Sequence, residues 1–216
     1  MFAVLRFNRS RSAFNKILQV LDIKRYLRSC IHKNEHMFKK MNFLTPTSLN
    51  VLYFLLSNPM EQFHEREVVR RTGVSVGAVN QILRRFQRVG LVEMDRRGKT
   101  NLYRANLRNP VARQFKVLFN VLALNDLVDK VKQISDRIVL FGSCAEGTDV
   151  KDSDIDLFIL TSDTETVNHE VRLCEEKIER RLSPIIVDSN ELAKMKTKDK
   201  PLYERILRGI TLWERE

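Results

Sequence analysis

The 216-residue sequence predicts an α+β chain: three short helices and a hairpin, then a connecting helix, then a small mixed α/β unit. Three observations predict it. Apolar residues recur at helical spacing between Ser48 and Phe86, and two short strand patterns follow around Asp95–Lys99. A further helical pattern opens at Pro110. From Asp136 the period changes to short apolar runs with a helical stretch among them, and strands alternating with helices imply a mixed sheet. The length admits one large domain or two small ones, and the boundaries are expected at 1–42, 43–110, 111–135 and 136–216.

With 43% hydrophobic and 30% charged residues the chain has core material and is not disordered by composition. No apolar run approaches the roughly 18–20 residues a membrane span requires, so no membrane partner is expected. The formal charge of +11 makes a polyanion the default partner. Cys30, Cys144 and Cys174 are odd in number and form no Cys-x-x-Cys pair, which argues against disulfides and a zinc ribbon and for a reducing cytoplasm. Cys30, His32 and His36 cluster, but one thiol and two imidazoles fall short of four tetrahedral ligands.

Residues 1–42 carry ten Lys and Arg against Asp22 and Glu35, a net +8. Three readings stay open for this arm: a dispensable or mis-assigned start, since Met37 and Met41 precede the first globular pattern; a nucleic-acid-binding arm; or a targeting segment, given the amphipathic spacing of Phe14, Ile17, Leu18 and Leu21.

Each later element has a local cause. Leu49, Leu52, Leu55 and Leu56 share a face of a helix over 48–57, and Val68 and Val69 one of a short helix over 65–71. Thr72-Gly73-Val74 turns the chain and Ser75 is placed to cap a third helix, on which Val79, Ile82, Leu83 and Phe86 recur at i, i+3, i+4, i+7. Gly90 stands where a left-handed residue ends such a helix. Strands are expected over 91–94 and 101–105, joined by a turn over 95–99. This order is that of a winged helix-turn-helix, and residues 43–106 resemble those of transcriptional regulators. The resemblance implies a third helix in the major groove of double-stranded DNA and a wing against the backbone or minor groove. Ser75, Gly77, Asn80, Gln81 and Arg84 are then the candidates for base edges, Arg85 and Arg88 for phosphates, and Arg96, Arg97 and Lys99 for the wing tip. Eleven Lys and Arg against five Asp and Glu over 43–110 favour DNA over a protein-contact role for this segment.

Pro110 suits a helix's first turn, and one connecting helix is expected over 111–135 with Phe115, Leu118, Leu122 and Val128 among its apolar positions. Ile138–Phe141, Ile155–Leu160 and Ile185–Val187 read as strands, and Glu165–Leu182 as a helix with Val171, Cys174, Ile178 and Leu182 on one face.

The first of these strands runs into Gly142-Ser143, and ten residues later Asp154-Ile155-Asp156 opens the next. Alternation along an extended strand points Asp154 and Asp156 to one side and Ile155 and Leu157 into the core. Neighbouring carboxylates repel unless a cation sits between them, and Mg²⁺ takes one or two carboxylates together with substrate phosphates and waters. Gly142 lets the backbone approach a phosphate and Ser143 adds a hydroxyl and an N–H.

The whole pattern resembles the signature of the DNA polymerase β-like nucleotidyltransferases, and its flanks, Leu140-Phe-Gly-Ser143 and Ser153-Asp-Ile-Asp-Leu157, look most like the minimal prokaryotic members. The likeness extends over 136–216, including a tail, Pro201–Trp213, similar to the closing helix and strand of such domains. It implies that Gly142 and Ser143 bind the triphosphate of ATP or another nucleotide and that Asp154 and Asp156 ligate Mg²⁺. A third carboxylate, usual on a later strand, is missing from Ser183–Val187; Asp188 just beyond is the substitute, with an N-cap as the competing role. Glu146 stands where many relatives carry Arg.

Two functions follow. One is transfer of AMP from ATP to a hydroxyl of a protein or RNA, coupled to DNA binding. The other is an antitoxin-like DNA-binding regulator whose nucleotidyltransferase domain is catalytically weak or inactive and serves as a nucleotide sensor or docks a partner. The resemblance makes a small helical toxin-like protein or an RNA the acceptor, and leaves a homodimer open.

Overall fold

The structure, a computed structural model, describes residues 44–216. The arm 1–42, with Cys30, His32 and His36, lies outside the described residues. The architecture is mixed α+β, and the chain divides into two compact units. One takes in the described residues up to Phe54 with Phe63–Val89 and Met94–Tyr103; the other takes in Leu55–Gln62, Gly90–Glu93 and Arg104–Glu216.

The first elements are α1 (Pro46–Ser57), β1 (Phe63–His64), α2 (Glu65–Thr72), α3 (Val76–Arg88), β2 (Val92–Arg97) and β3 (Thr100–Ala105). Thr45 and Ser48 cap α1 reciprocally: each hydroxyl accepts the other's backbone N–H, at 3.2 and 2.9 Å. Gly73, at φ 69°, closes α2 by donating its N–H to Val69 O. The Ser75 hydroxyl accepts the Ala78 N–H to start α3, and Gly90 follows its end at φ 76°. The sheet order is β1-β3-β2, with Phe63 opposite Tyr103. The hairpin turn is tighter than expected. The strands run on to Arg97 and resume at Thr100, because Gly98 at φ 63° supplies the positive φ that a two-residue connection demands.

The later elements are α4 (Pro110–Ala123), α5 (Asn125–Val131), β4 (Ser135–Phe141), α6 (Gly142–Glu146), β5 (Ile155–Thr161), α7 (Thr164–Ile178), β6 (Leu182–Val187), α8 (Ser189–Lys198), α9 (Lys200–Leu207) and β7 (Ile210–Glu214). The sheet order is β6-β5-β4-β7; β4 pairs antiparallel with β5 and β7, and β5 runs parallel to β6. Ile138, Leu140, Ile155, Leu157 and Ile159 pack on one face with residues of α5 and α7; Val139, Phe141 and Phe158 pack on the other with Ile206 of α9 and with Leu192 and Met195 of α8. Burial on both faces explains why β4 and β5 read as unbroken apolar runs.

Two expected helices are corrected. The stretch 111–135 is two helices with a break at Leu124, whose N–H bonds to Val121 O in a tighter turn and whose side chain is fully buried. The helix expected over 165–182 stops at Ile178, because Glu179 adopts a left-handed φ of 55° and Leu182 joins β6. No described helix is long and apolar enough to cross a membrane.

Candidate functional site

Buried β4 delivers the chain into Gly142 at the edge where β5 begins, and the register sets Phe141 opposite Asp156. Gly142 is at φ 68°, and a Cβ built there would overlap Asp156 Oδ2 and stand 3.0 Å from its Cγ. Only glycine satisfies both conditions. Ile155 and Leu157 are fully buried in the core while Asp154 and Asp156 remain partly exposed, as alternation requires. Burial pushes the Asp156 carboxyl up; the positive charge of Arg205 opposes this and the negative charge of Asp154 adds to it. Arg181 Nε lies 3.8 Å from Asp154 Oδ2, and the Arg205 guanidinium sits over the Phe141 ring at 5.8 Å from its centre. The pair is thus flanked by two cations from different elements, α9 and the turn before β6.

Behind the pair, a buried polar network holds the connection between Gly142-Ser143 and Asp154. Asp149, 1% exposed, is its hub. Its Oδ2 faces Lys116 Nζ at 3.2 Å and Arg180 Nη2 at 3.2 Å, and its Oδ1 accepts from Asn120 Nδ2 at 3.0 Å. Asn120 also donates to Cys144 O, Arg180 to Ser153 O, and Lys116 to Leu56 O at 2.7 Å. Burial pulls the Lys116 pKa down, and Asp149 resists this. Burial likewise pushes the Cys144 thiol up. Sequence reasoning missed this network, although Lys116 and Asn120 interrupt the apolar side of an otherwise helical pattern and were its one visible signal.

Asp188 is not brought to the pair. Asp156 is opposite Ser183 and Leu160 opposite Val187 in the parallel register, so Asp188 follows the far end of β6, roughly 16 Å further along at about 3.3 Å per residue. There it caps α8: its Oδ1 accepts the Glu191 N–H at 2.7 Å and Glu191 Oε2 accepts its own N–H at 3.1 Å. Exposed Ser183 is the β6 residue beside Asp156. Among the described residues no three carboxylates, imidazoles or thiols gather as a metal site, so a cation at Asp154 and Asp156 would complete its shell with substrate and water. Ser143 is half-buried on α6 and Glu146 is exposed.

On α3, Val79, Leu83 and Phe86 are buried. Ser75, Gly77, Gln81, Arg84 and Arg88 are exposed, and Asn80 and Arg85 are half-buried. Arg96, Arg97 and Lys99 are exposed at the hairpin tip, where Arg97 Nε pairs with Asp95 Oδ2 at 3.1 Å.

Residues 123–216 match the family model described as Polymerase beta, Nucleotidyltransferase. Solved structures similar to parts of the chain include a predicted DNA-binding transcriptional regulator from E. coli, 26% identical over 45% of this chain and 97% of that one, at a TM-score of 0.33. A toxin–antitoxin with AMP-PNP is 22% identical over 45% and 75%, TM-score 0.33. The transcriptional regulator BldR from Sulfolobus solfataricus is 17% identical over 56% and 84%, TM-score 0.32. No curated protein matches the chain.

Proposed function

We propose that residues 136–216 are a Mg²⁺-dependent nucleotidyltransferase domain that moves AMP from ATP onto a hydroxyl of a protein or RNA. Residues 43–110 are, on the same proposal, a winged helix that carries it to double-stranded DNA. The observation that carries the reading is the fit of Gly142 against Asp156, which joins the two halves of the motif at one point. The polymerase β-type match over 123–216 supports it.

The donor set suits a hard cation: two partly exposed carboxylates on one face, one of them raised by burial and by its neighbour. Bound between Asp154 and Asp156, Mg²⁺ would act as a Lewis acid on the nucleotide's phosphates. The chain's own residues do the rest. Gly142 keeps the backbone free of a side chain where phosphate oxygens approach, and Ser143 offers its hydroxyl. The Asp149 network holds the connection to Asp154 so that the two segments keep their spacing, and positioning of this kind is a large part of catalysis by such sites.

The test is transfer of label from α-labelled ATP to a small helical partner protein or to RNA in the presence of Mg²⁺. Wild type should label the acceptor, and Asp154→Ala with Asp156→Ala should abolish it. Labelling that survives the double substitution removes the site assignment. A second reading, a DNA-binding regulator with a nucleotide-sensing or docking domain, is favoured by the serine at position 183, where a third carboxylate would share the face of Asp156. Tight operator binding without labelling of any acceptor would select it.

A further inference from the structure

We propose that Arg181 and Arg205 bind the polyphosphate of the nucleotide at the Asp154–Asp156 pair, a role that rests on the nucleotidyltransferase reading. The two residues reach the pair from separate elements. The Arg181 backbone carbonyl accepts the Ile155 N–H at 2.9 Å, which fixes its Cα beside the start of β5. Its side chain is 79% exposed and meets Asp154 only at 3.8 Å, so little stability is lost when it swings away. The preceding Arg180 is engaged by Asp149, Ser153 O and the Cys144 sulfur. Arg205 belongs to α9, whose Ile206 is buried under the sheet, and its guanidinium lies over Phe141, the residue before Gly142.

Arg181 meets Asp154 directly, whereas Arg205 lies over the Phe141 ring and acts on Asp156 through its charge alone. A divalent cation held by the carboxylates would satisfy their charge and release Arg181 from Asp154, while Arg205 keeps its guanidinium over Phe141, the residue before Gly142. What remains is a patch of positive charge beside Gly142 and Ser143, complementary to a chain of phosphates. Guanidinium presents parallel N–H donors at the spacing of phosphate oxygens, which suits arginine to this task.

Binding of Mg²⁺-loaded inorganic tripolyphosphate to the full chain, measured by calorimetry, tests the proposal without any acceptor. Arg181→Gln and Arg205→Gln should each weaken it by roughly tenfold or more, as loss of a charged hydrogen bond does. Their melting temperatures should be unchanged, and Arg205→Lys should recover part of the loss. Unchanged affinity in both Gln variants, with tight wild-type binding, overturns the arginine proposal and leaves the site standing. A loss that comes with a lowered melting temperature and is not relieved by Arg205→Lys marks a structural role and also overturns it. Failure of wild type to bind overturns both the proposal and the site. Binding lost in the Gln variants but kept in Asp154→Asn with Asp156→Asn upholds the arginines and removes the metal ligands.

Discussion

Gly142 answers two demands with one atom left out: a left-handed backbone and a carboxylate where Cβ would be. Gly142→Ala must shift Asp156 or strain the turn, so it should lose about 1–3 kcal/mol of stability in urea unfolding and weaken tripolyphosphate binding as well. Asp149 has a different kind of importance, as the shared acceptor of Lys116, Arg180 and Asn120. Asp149→Asn leaves a buried ammonium and a guanidinium without their anion and should cost about 3–5 kcal/mol. Lys116→Met should cost less, since Asp149 keeps Arg180 and Asn120. Equal losses in the two variants would show that Asp149 is not the hub. The same burial keeps the thiols inert. Cys144 and Cys174 are buried, and burial pushes both thiols up, away from the reactive thiolate. In a Cys30→Ser background, Ellman's reagent at pH 8 should find neither thiol in the native chain and both in denaturant. Rapid native reaction of Cys144 would mean that the segment after Gly142 opens.

At the scale of elements, α8 decides what Asp188 is for. Its capping box with Glu191 predicts that Asp188→Ala costs about 1 kcal/mol in unfolding and leaves tripolyphosphate binding untouched, whereas a metal-ligating Asp188 would lose binding without that stability change. The N-cap was visible in the sequence as an acid just before a helical pattern; what could not be read was the parallel register that carries Asp188 to the far end of β6. Strands β4 and β5 were readable because both faces are buried, so apolar residues run without interruption. The break at Leu124 was not, because apolar spacing continues smoothly through it and only packing against the sheet makes the chain turn there. The tight hairpin turn hid for another reason: Asp95, Arg96 and Arg97 are turn-prone by composition, yet belong to a strand that Gly98 alone brings to an end. In the candidate site the residues adjacent in sequence to the motif were found, and Arg181 and Arg205 were not. Each is a surface arginine on an amphipathic pattern until the fold sets Arg181 beside Asp154 and Arg205 over Phe141.

For the whole molecule, charge is distributed by segment: +8 over 1–42, +6 over 43–110 and −3 over 111–216. Phosphate contacts act through released counterions, so DNA affinity should fall linearly with the logarithm of salt concentration. The slope counts phosphates irrespective of sequence, which makes it the measurement that separates the segments. A chain beginning at Met41 lacks a net charge of +8 and should lose slope for every DNA tested. Lys99→Ala at the hairpin tip should reduce the slope by about 1 for all sequences. Arg84→Ala, on the exposed face of α3, should cost about 1–3 kcal/mol on one operator and much less on others, since a base-edge contact discriminates where a phosphate contact does not. If Lys99→Ala and Arg84→Ala both leave affinity and preference unchanged while the arm deletion abolishes binding, the positive charge of 43–110 is a solvated face. The segment then docks a protein, and the arm alone holds DNA.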